Sequence, residues 1–497
     1  MCYDSKERKV SAINGSGSSP AGLSLDILKT DCSDGKGGVD PEKFRNSPHA
    51  VTVPGAAQGY EDLFQRHGSG TMTLAELMEP AAQLAEQGFP VAPITAHHWS
   101  SGMPLIRKWL DKERLERGPI PLTVDGNRGP KPGDIIVNKE CARVLRDLGA
   151  KGAMDGFYAG TTGSAIAAVV QKHGGKLTIE DLKAHTSTFP EPVSAKYRNV
   201  KLWEVPPNGQ GVAALVALTG LNHLEGKGLC SKLSPESVGK SAEAYHVMIE
   251  MMRLGFEDAR AHVACPNHTK VENEWFVDQE RIGKRAEELY CPQKAMAKGE
   301  PSPSSCTVSF QIVDKEGNAI SFVNSNFMGF GTGIVPEGCG FTLQNRGCGF
   351  ITNDDTHPNC YAPLKRPYHT IIPGILTFAD TNELHSTISN MGGNMQPQGH
   401  LQLAINMVAG ELNPQESIDL PRFCIADGTR DGKVFLEEGI GEEVLDELRK
   451  KGHDVQANVF GHDRSVFGRA QIITRSRQNG VYWAGSDGRG TSLSRLV

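Results

Sequence analysis

From Thr307 onward, apolar side chains (Val308, Phe310, Ile312) alternate with polar ones (Ser309, Gln311), which is the period of a half-buried strand. Asp314 to Asn318 supplies turn residues before a second strand. Just upstream lies a loop, Gly299 to Ser305, that contains two prolines. A threonine heading a strand directly after such a loop is placed to become a new chain terminus. Cutting the Cys306–Thr307 bond would leave Thr307 with a hydroxyl that attacks and a free α-amine that accepts its proton. An ordinary strand threonine is the bland alternative. Cys306 and Ser305 compete for the role, because either could serve as a terminal nucleophile.

The rest of the chain reads as a soluble enzyme. With 497 residues, 38% of them hydrophobic and 22% charged, it can bury a large core. A net charge of −6 and the lack of any dense Lys/Arg run argue against nucleic acid as a partner. No apolar run reaches the roughly 18 residues of a membrane span, and the N-terminus lacks the apolar core of a signal peptide. Eleven scattered cysteines without a Cys-x-x-Cys pair point to reduced, buried thiols. A cytoplasmic location is therefore expected.

Helix signals dominate before residue 300. Thr73-Leu-Ala-Glu76 is a capping box, with Leu74, Leu77, Ala81 and Leu84 on one stripe until Gly88, and Thr178-Ile-Glu-Asp181 opens another helix. Tyr245, Met248, Ile249, Met252 and Phe256 follow the spacing of a buried helix face. Strand-like alternation takes over between residues 307 and 380. Glu437 to Val455, with Val444, Leu445 and Leu448 as its apolar face, predicts a late surface helix. His97-His98 and Asp354-Asp355 with His357 are weak metal hints, read as solvated loops.

Cys-Thr-Val-x-Phe-x-Ile-Val-Asp-x-x-Gly-Asn-Ala, from Cys306, resembles the nucleophile segment of the γ-glutamyltranspeptidase family, whose members cut themselves before such a threonine. Phe330-Gly-Thr-Gly-Ile-Val335, Lys365-Arg-Pro367, Met391-Gly-Gly393, Leu412-Asn-Pro-Gln-Glu416, Pro421-Arg422 and Gly485-Ser-Asp487 are also similar to the family. So are Val51-Thr-Val-Pro-Gly55, Gly88-Phe-Pro90 and Pro206-Pro-Asn-Gly209, all in the family's order. The resemblance implies an α+β fold, the αββα four-layer sandwich of the N-terminal-nucleophile hydrolases. It also implies a large-subunit region, 1–306, and a small-subunit region, 307–497, cut from one precursor, with a homodimer of such pairs as an option. Its register puts the nucleophile on Thr307, the oxyanion-hole glycines on Gly392 and Gly393, and a nucleophile-touching hydroxyl on Ser325. Neither a metal nor an organic cofactor is implied, and the partner is a small-molecule amide.

Four departures shape the substrate expectation. The family arginine that grips the substrate carboxylate should lie in Asn14-Gly-Ser-Gly-Ser-Ser-Pro20, which contains none, and the acidic residue for the substrate amine falls on Gly349. The paired serines become His369 and Thr370, and a family asparagine becomes Phe327. Leu343-Gln-Asn-Arg346, His369 and Gln396-Pro-Gln-Gly-His400 resemble the oxamate amidohydrolase-like and acylase-like branch. Arg346, His369 and Thr370 are then the substrate-binding candidates, for a small carboxylate-bearing amide. For Arg346 and His369 a purely structural role is an equal alternative, and Gln396, Gln398 and His400 are read as shaping the helix after the glycine pair. Rival readings are a γ-glutamyl hydrolase or transferase acting on glutathione, and an unprocessed, non-catalytic relative. Relative to the family the chain starts late, lacking an opening strand and alanine-rich helix. A truncated gene model is expected over a lost core element, whose loss would expose an apolar sheet face.

Overall fold

The computed structural model describes residues 1–295, 306–426, 432–491 and 493–494, so the loop Gly299 to Ser305 lies outside the described residues. The chain forms two compact units: Met1–Ala12, Phe189–Ser325 and Thr370–Val497 make the first, Ile13–Thr188 and Asn326–His369 the second. This division is independent of the large- and small-subunit regions expected on either side of residue 307.

The first unit is built on two sheets. One has the order Lys9–Ser11, Cys2–Asp4, Ala319–Phe327, Cys306–Val313. The other runs Tyr482–Ser486, Ala470–Arg475, Leu384–Asn390, Gly374–Phe378, Val200–Glu204, Val193–Tyr197, antiparallel throughout. Met1, Tyr3, Val10 and Ala319 from the first sheet meet Ile375 and Leu384 from the second in one buried cluster, the interdigitation by which stacked sheets exclude water. Hydroxyls and an amide cross the same interface: Ser321 Oγ donates to the Ile388 carbonyl at 3.0 Å, Gln311 Nε2 to Ser389 Oγ at 2.9 Å, and Ser389 Oγ to Ser309 Oγ at 2.8 Å. The predicted turn closes as the sequence suggests, with Asn318 N donating to Asp314 Oδ1 at 2.8 Å and Gly317 at φ +87°.

Helices Val212–Lys227, Ala242–His262 and Met395–Val408 pack together beside the six-stranded sheet. Val212–Lys227 is apolar on all sides and ends at Gly228, whose φ of +69° supplies the left-handed cap. Ala242–His262 starts at Ser241, whose Oγ accepts from Ala244 N at 3.1 Å. The predicted face, Tyr245 to Phe256, is buried, and so is nearly everything else from Ala244 to Ala259. Gly255 lies against the Ala213 carbonyl where a Cβ would collide, which lets these two helices approach closely. On the opposite side, the outward face of strand Cys306–Val313 is open: Val308, Phe310 and Ile312 are 72%, 43% and 55% exposed. The expected half-buried strand therefore turns its polar side, Thr307, Ser309 and Gln311, inward and its apolar side outward.

Several sequence expectations need correction. The Thr73–Glu76 capping box and the Thr178–Asp181 start are present, but Leu77 and Leu84 are exposed; helix Leu74–Gln87 buries Leu74 and Ala82 instead. Small residues suffice there because Gly149 of the neighbouring helix lets it come within contact of Ala75 and Met78. The single helix expected over Glu437 to Val455 is strand Val434–Glu437, helix Glu442–Lys450 and strand Val455–Val459. Gly439, at φ +97°, and Gly452, at φ +94°, break the helix at both ends, while Val444, Leu445 and Leu448 do form its buried face. Between Phe327 and Gly374 the expected alternation yields no strand but loops around a short turn at Arg346–Gly349 and an isolated bridge. Here the backbone is held by side chains, as where Lys365 Nζ donates to the carbonyls of Pro358 and Cys360 at 2.6 and 2.7 Å. The ten cysteines with described side chains are all free thiols, six of them buried. No described helix is long and apolar enough to cross a membrane.

Candidate active site

Thr307 is the second residue of strand Cys306–Val313 and is buried. Its Oγ1 donates to Ser325 Oγ at 3.2 Å and accepts from Gln396 Nε2 at 3.4 Å. Ser325 reaches it from the neighbouring strand Ala319–Phe327, so the expected contact between these two hydroxyls is present.

Strand Leu384–Asn390 ends in Met391-Gly392-Gly393, which turns the chain into helix Met395–Val408. Gly392 and Gly393 have φ of +119° and +59°, and a Cβ on Gly392 would press on Met395, so the turn needs glycine. The Gly392 and Gly393 carbonyls accept from Met395 N and Gln396 N at 3.0 and 3.1 Å. Neither glycine amide has an acceptor among the described residues. Two N–H groups without side chains beside them can stabilise an oxyanion.

Gln396 ties the turn to Thr307. It is fully buried, its backbone N–H donates to Gly393, its side-chain oxygen accepts from Ile372 N at 3.1 Å, and its Nε2 reaches Thr307. Sequence reasoning gave Gln396 to the helix alone. It does shape that helix start, but it also touches the threonine. Gln210, which sequence reasoning missed, is equally buried and donates to the carbonyls of Gly393 at 2.8 Å and Thr370 at 3.1 Å. A glutamine immediately after Pro206-Pro-Asn-Gly209, one of the family-like segments, was the available signal. Thr370 is thus held through its backbone. We expect Gln396→Ala to lower kcat by about tenfold to a hundredfold, the equivalent of one lost hydrogen bond to a reacting group, with little change in KM. Steady-state kinetics on the purified variant check this.

Beneath the glycine turn, two of the family-like motifs meet in a buried ionic cluster. Arg422 Nη2 pairs with Asp487 Oδ2 at 2.8 Å, and Arg489 pairs with Asp487 at 3.1 Å and with Glu437 at 2.6 Å. Arg422 also donates to Asn390 Oδ1 at 3.0 Å, the residue just before Met391. Burial opposes the charge on Asp487, yet Arg422 and Arg489 hold its carboxyl below the usual range.

Arg346 and His369 belong to the second unit. Arg346 is buried, with its guanidinium 4.6 Å from the Phe327 ring centroid. Its backbone N–H donates to Gln344 Oε1, whose own amide group donates to Thr52 at 2.7 Å. Burial brings the guanidinium down to about 9, so it remains charged at neutral pH. Burial, reinforced by Arg346 and Arg366, holds His369 well below the ordinary imidazole value, hence neutral. Gly349 has the Tyr368 carbonyl 2.5 Å from where a Cβ would stand, leaving no room for an acidic side chain. In the loop from Asn14, Gly17 packs directly on the Val53 carbonyl and Ser16 is buried.

Comparison with known proteins identifies the family. The family model described as gamma-glutamyltranspeptidase matches residues 1–495. The glutathione hydrolase-like YwrD proenzyme of Bacillus subtilis is 28% identical, over 99% of this chain and 87% of its own length. The oxamate amidohydrolase proenzyme of Klebsiella pneumoniae is also 28% identical, over 90% of this chain and 80% of its own. Among solved structures, cephalosporin acylase from Bacillus halodurans superposes with a TM-score of 0.84 at 33% identity, covering 97% of this chain and 84% of that one. That degree of likeness also fixes the fold as the α+β fold of N-terminal-nucleophile hydrolases. The chain belongs to the γ-glutamyltranspeptidase family and is an enzyme of its hydrolase kind.

Proposed function

We propose that this protein is a self-processing amidohydrolase that acts through an acyl-Thr307 intermediate on small amides bearing a carboxylate. The observation that carries the reading is the placement of Gln396, which joins the Thr307 hydroxyl to the Gly392–Gly393 turn through its two ends. Nucleophile and oxyanion donors then share one rigid support.

In processing, Thr307 Oγ1 attacks the Cys306 carbonyl carbon. The bond from that carbon to the Thr307 nitrogen breaks, leaving an ester on Oγ1, and water hydrolyses the ester to a Cys306 carboxylate and a free Thr307 amine. In turnover, that amine takes the hydroxyl proton and Oγ1 attacks the substrate carbonyl. The Gly392 and Gly393 amides hold the oxyanion, while Ser325 and Gln396 keep Oγ1 oriented. The protonated amine gives its proton to the leaving nitrogen, and water then releases the acid. Because the amine must be neutral to act as base, kcat/KM should rise with pH through the amine's value, about 7.7 to 8.0 when unperturbed. His369 is already neutral in that range and adds no limb to the profile.

Arg346 is the residue we assign to the substrate carboxylate, with His369 and Thr370 as further substrate-binding candidates. A fixed, charged guanidinium suits a planar carboxylate, and an oxamate amidohydrolase is among the similar proteins. Glutathione is less well supported, because the packing at Gly349 excludes the acidic partner for an α-amino group. Arg346→Ala should raise KM for oxamate-like amides about tenfold or more, as loss of a charge-assisted hydrogen bond implies, and leave neutral amides unaffected. Equal loss on both classes, or faster turnover of γ-glutamyl-anilide than of oxamate by the unaltered enzyme, would reject the assignment.

A further inference from the structure

We infer that His246, Glu250 and His453 form a binding site for a divalent transition metal of the zinc class, apart from the Thr307 chemistry. His246 and Glu250 stand one turn apart on helix Ala242–His262, and His453 follows helix Glu442–Lys450. All three side chains are buried, and one ligand atom from each lies within 4.8 Å of the others.

The hydrogen bonds fix where the lone pairs point. His246 Nε2 lies 2.8 Å from the Cys291 carbonyl, so that nitrogen carries a proton and Nδ1 is bare. This is the outer bond by which a ligating imidazole is usually held. His246 Nδ1 is 2.8 Å from His453 Nε2, which must therefore donate, leaving His453 Nδ1 bare as well. That buried nitrogen has no hydrogen-bond partner among the described residues, and what faces it, 3.9 Å away, is Glu250 Oε1. A lone pair opposed to a carboxylate in a dry interior is costly. The gap is too wide for a hydrogen bond, but two ligands on one zinc ion, each about 2.0 to 2.2 Å from it, lie at about this spacing. For His246 Nδ1 to join the ion, the His453 ring must turn, which gives up the ring-to-ring hydrogen bond for a metal–nitrogen bond while both Nε2 protons stay in place. Arg253 donates to Glu250 Oε1 at 3.2 Å, which steadies the carboxylate and, through its charge, moderates the affinity. An imidazole and carboxylate set without thiolate suits zinc, cobalt or nickel in preference to calcium or magnesium. The ion would pin the long buried helix to the segment after Lys450.

The rival occupant of the gap is a proton, making His453 a cation paired with Glu250. The purified full-length protein, dialysed against chelator, should take up one equivalent of zinc in competition with a chromogenic chelator and melt at a higher temperature when loaded. His453→Gln and Glu250→Gln should each weaken binding at least tenfold and abolish the thermal shift. Should these variants fold poorly, the cobalt-loaded unaltered protein decides: d–d bands of a four- or five-coordinate nitrogen and oxygen site, without a thiolate charge-transfer band, support the assignment. Absence of uptake, undiminished uptake by well-folded variants, or a thiolate band would overturn it.

Discussion

Thr307→Ala should leave the chain in one piece and without amidase activity. The substitution removes the only atom that attacks in both the processing and the turnover steps, and an uncut chain keeps its residue-307 nitrogen in an amide, where it cannot act as a base. Losing a nucleophile from an assembled site costs at least about a thousandfold in kcat, and here the loss of the amine compounds it. Thr307→Ser keeps both groups, and should process and turn over, though more slowly without the methyl that restricts the hydroxyl rotamer. Gel mobility and amide hydrolysis measured side by side check the pair. Undiminished turnover by the alanine variant would remove Thr307 from the mechanism altogether.

Arg422→Ala should be the most destabilising of the single changes considered, by about 3 to 5 kcal/mol, the cost of removing one partner from a buried ion pair, with Arg489 left as the one cation on Asp487. Asp487 loses its 2.8 Å partner, and Asn390 loses the guanidinium that holds it at the entry to the glycine turn. The loss should therefore appear in denaturant midpoint and in kcat together. Arg422→Lys rescues little, because one ammonium cannot span Asp487, Asn390 and the Ile418 and Phe467 carbonyls that the guanidinium reaches. The same network sets an acid limit. The Asp487 carboxyl is depressed in the folded protein, so its contribution is complete above the unfolded value of about 3.9 and is lost as pH falls below that toward the lower folded value. Unfolding midpoints measured from pH 6 down to pH 3 should fall less steeply in Arg422→Ala than in the unaltered protein.

What the sequence made legible was local. The strand from Thr307 and the turn at Asp314–Asn318 each rest on a few neighbouring residues whose alternation or turn chemistry is visible locally, whereas the Gly392–Gly393 pair and Ser325 were placed by the family resemblance, a plain tight turn being the alternative for the glycines. The roles of Gln396 and Gln210 were hidden because an amide side chain acquires meaning only from what folding sets opposite it: a threonine 89 positions away for one, and carbonyls 160 and 183 positions away for the other. Glu437 shows the limit in reverse. As a charged residue before an amphipathic run it looked like the start of a surface helix, but the arginines that neutralise it, Arg464 and Arg489, come later in the chain, and with them it sits buried at a strand end. Leu77 and Leu84 kept a helical period yet face solvent, because the close approach at Gly149 shifts the contact onto Leu74, Met78 and Ala82.

The intact mass of the purified protein under denaturing conditions, with N-terminal sequencing of the smaller component, tests the central claim most directly. Two chains are expected, the smaller one spanning 307–497 and beginning Thr-Val-Ser-Phe. A single chain of 53.6 kDa that hydrolyses amides, or a smaller chain beginning at Cys306 or Ser305, would contradict it.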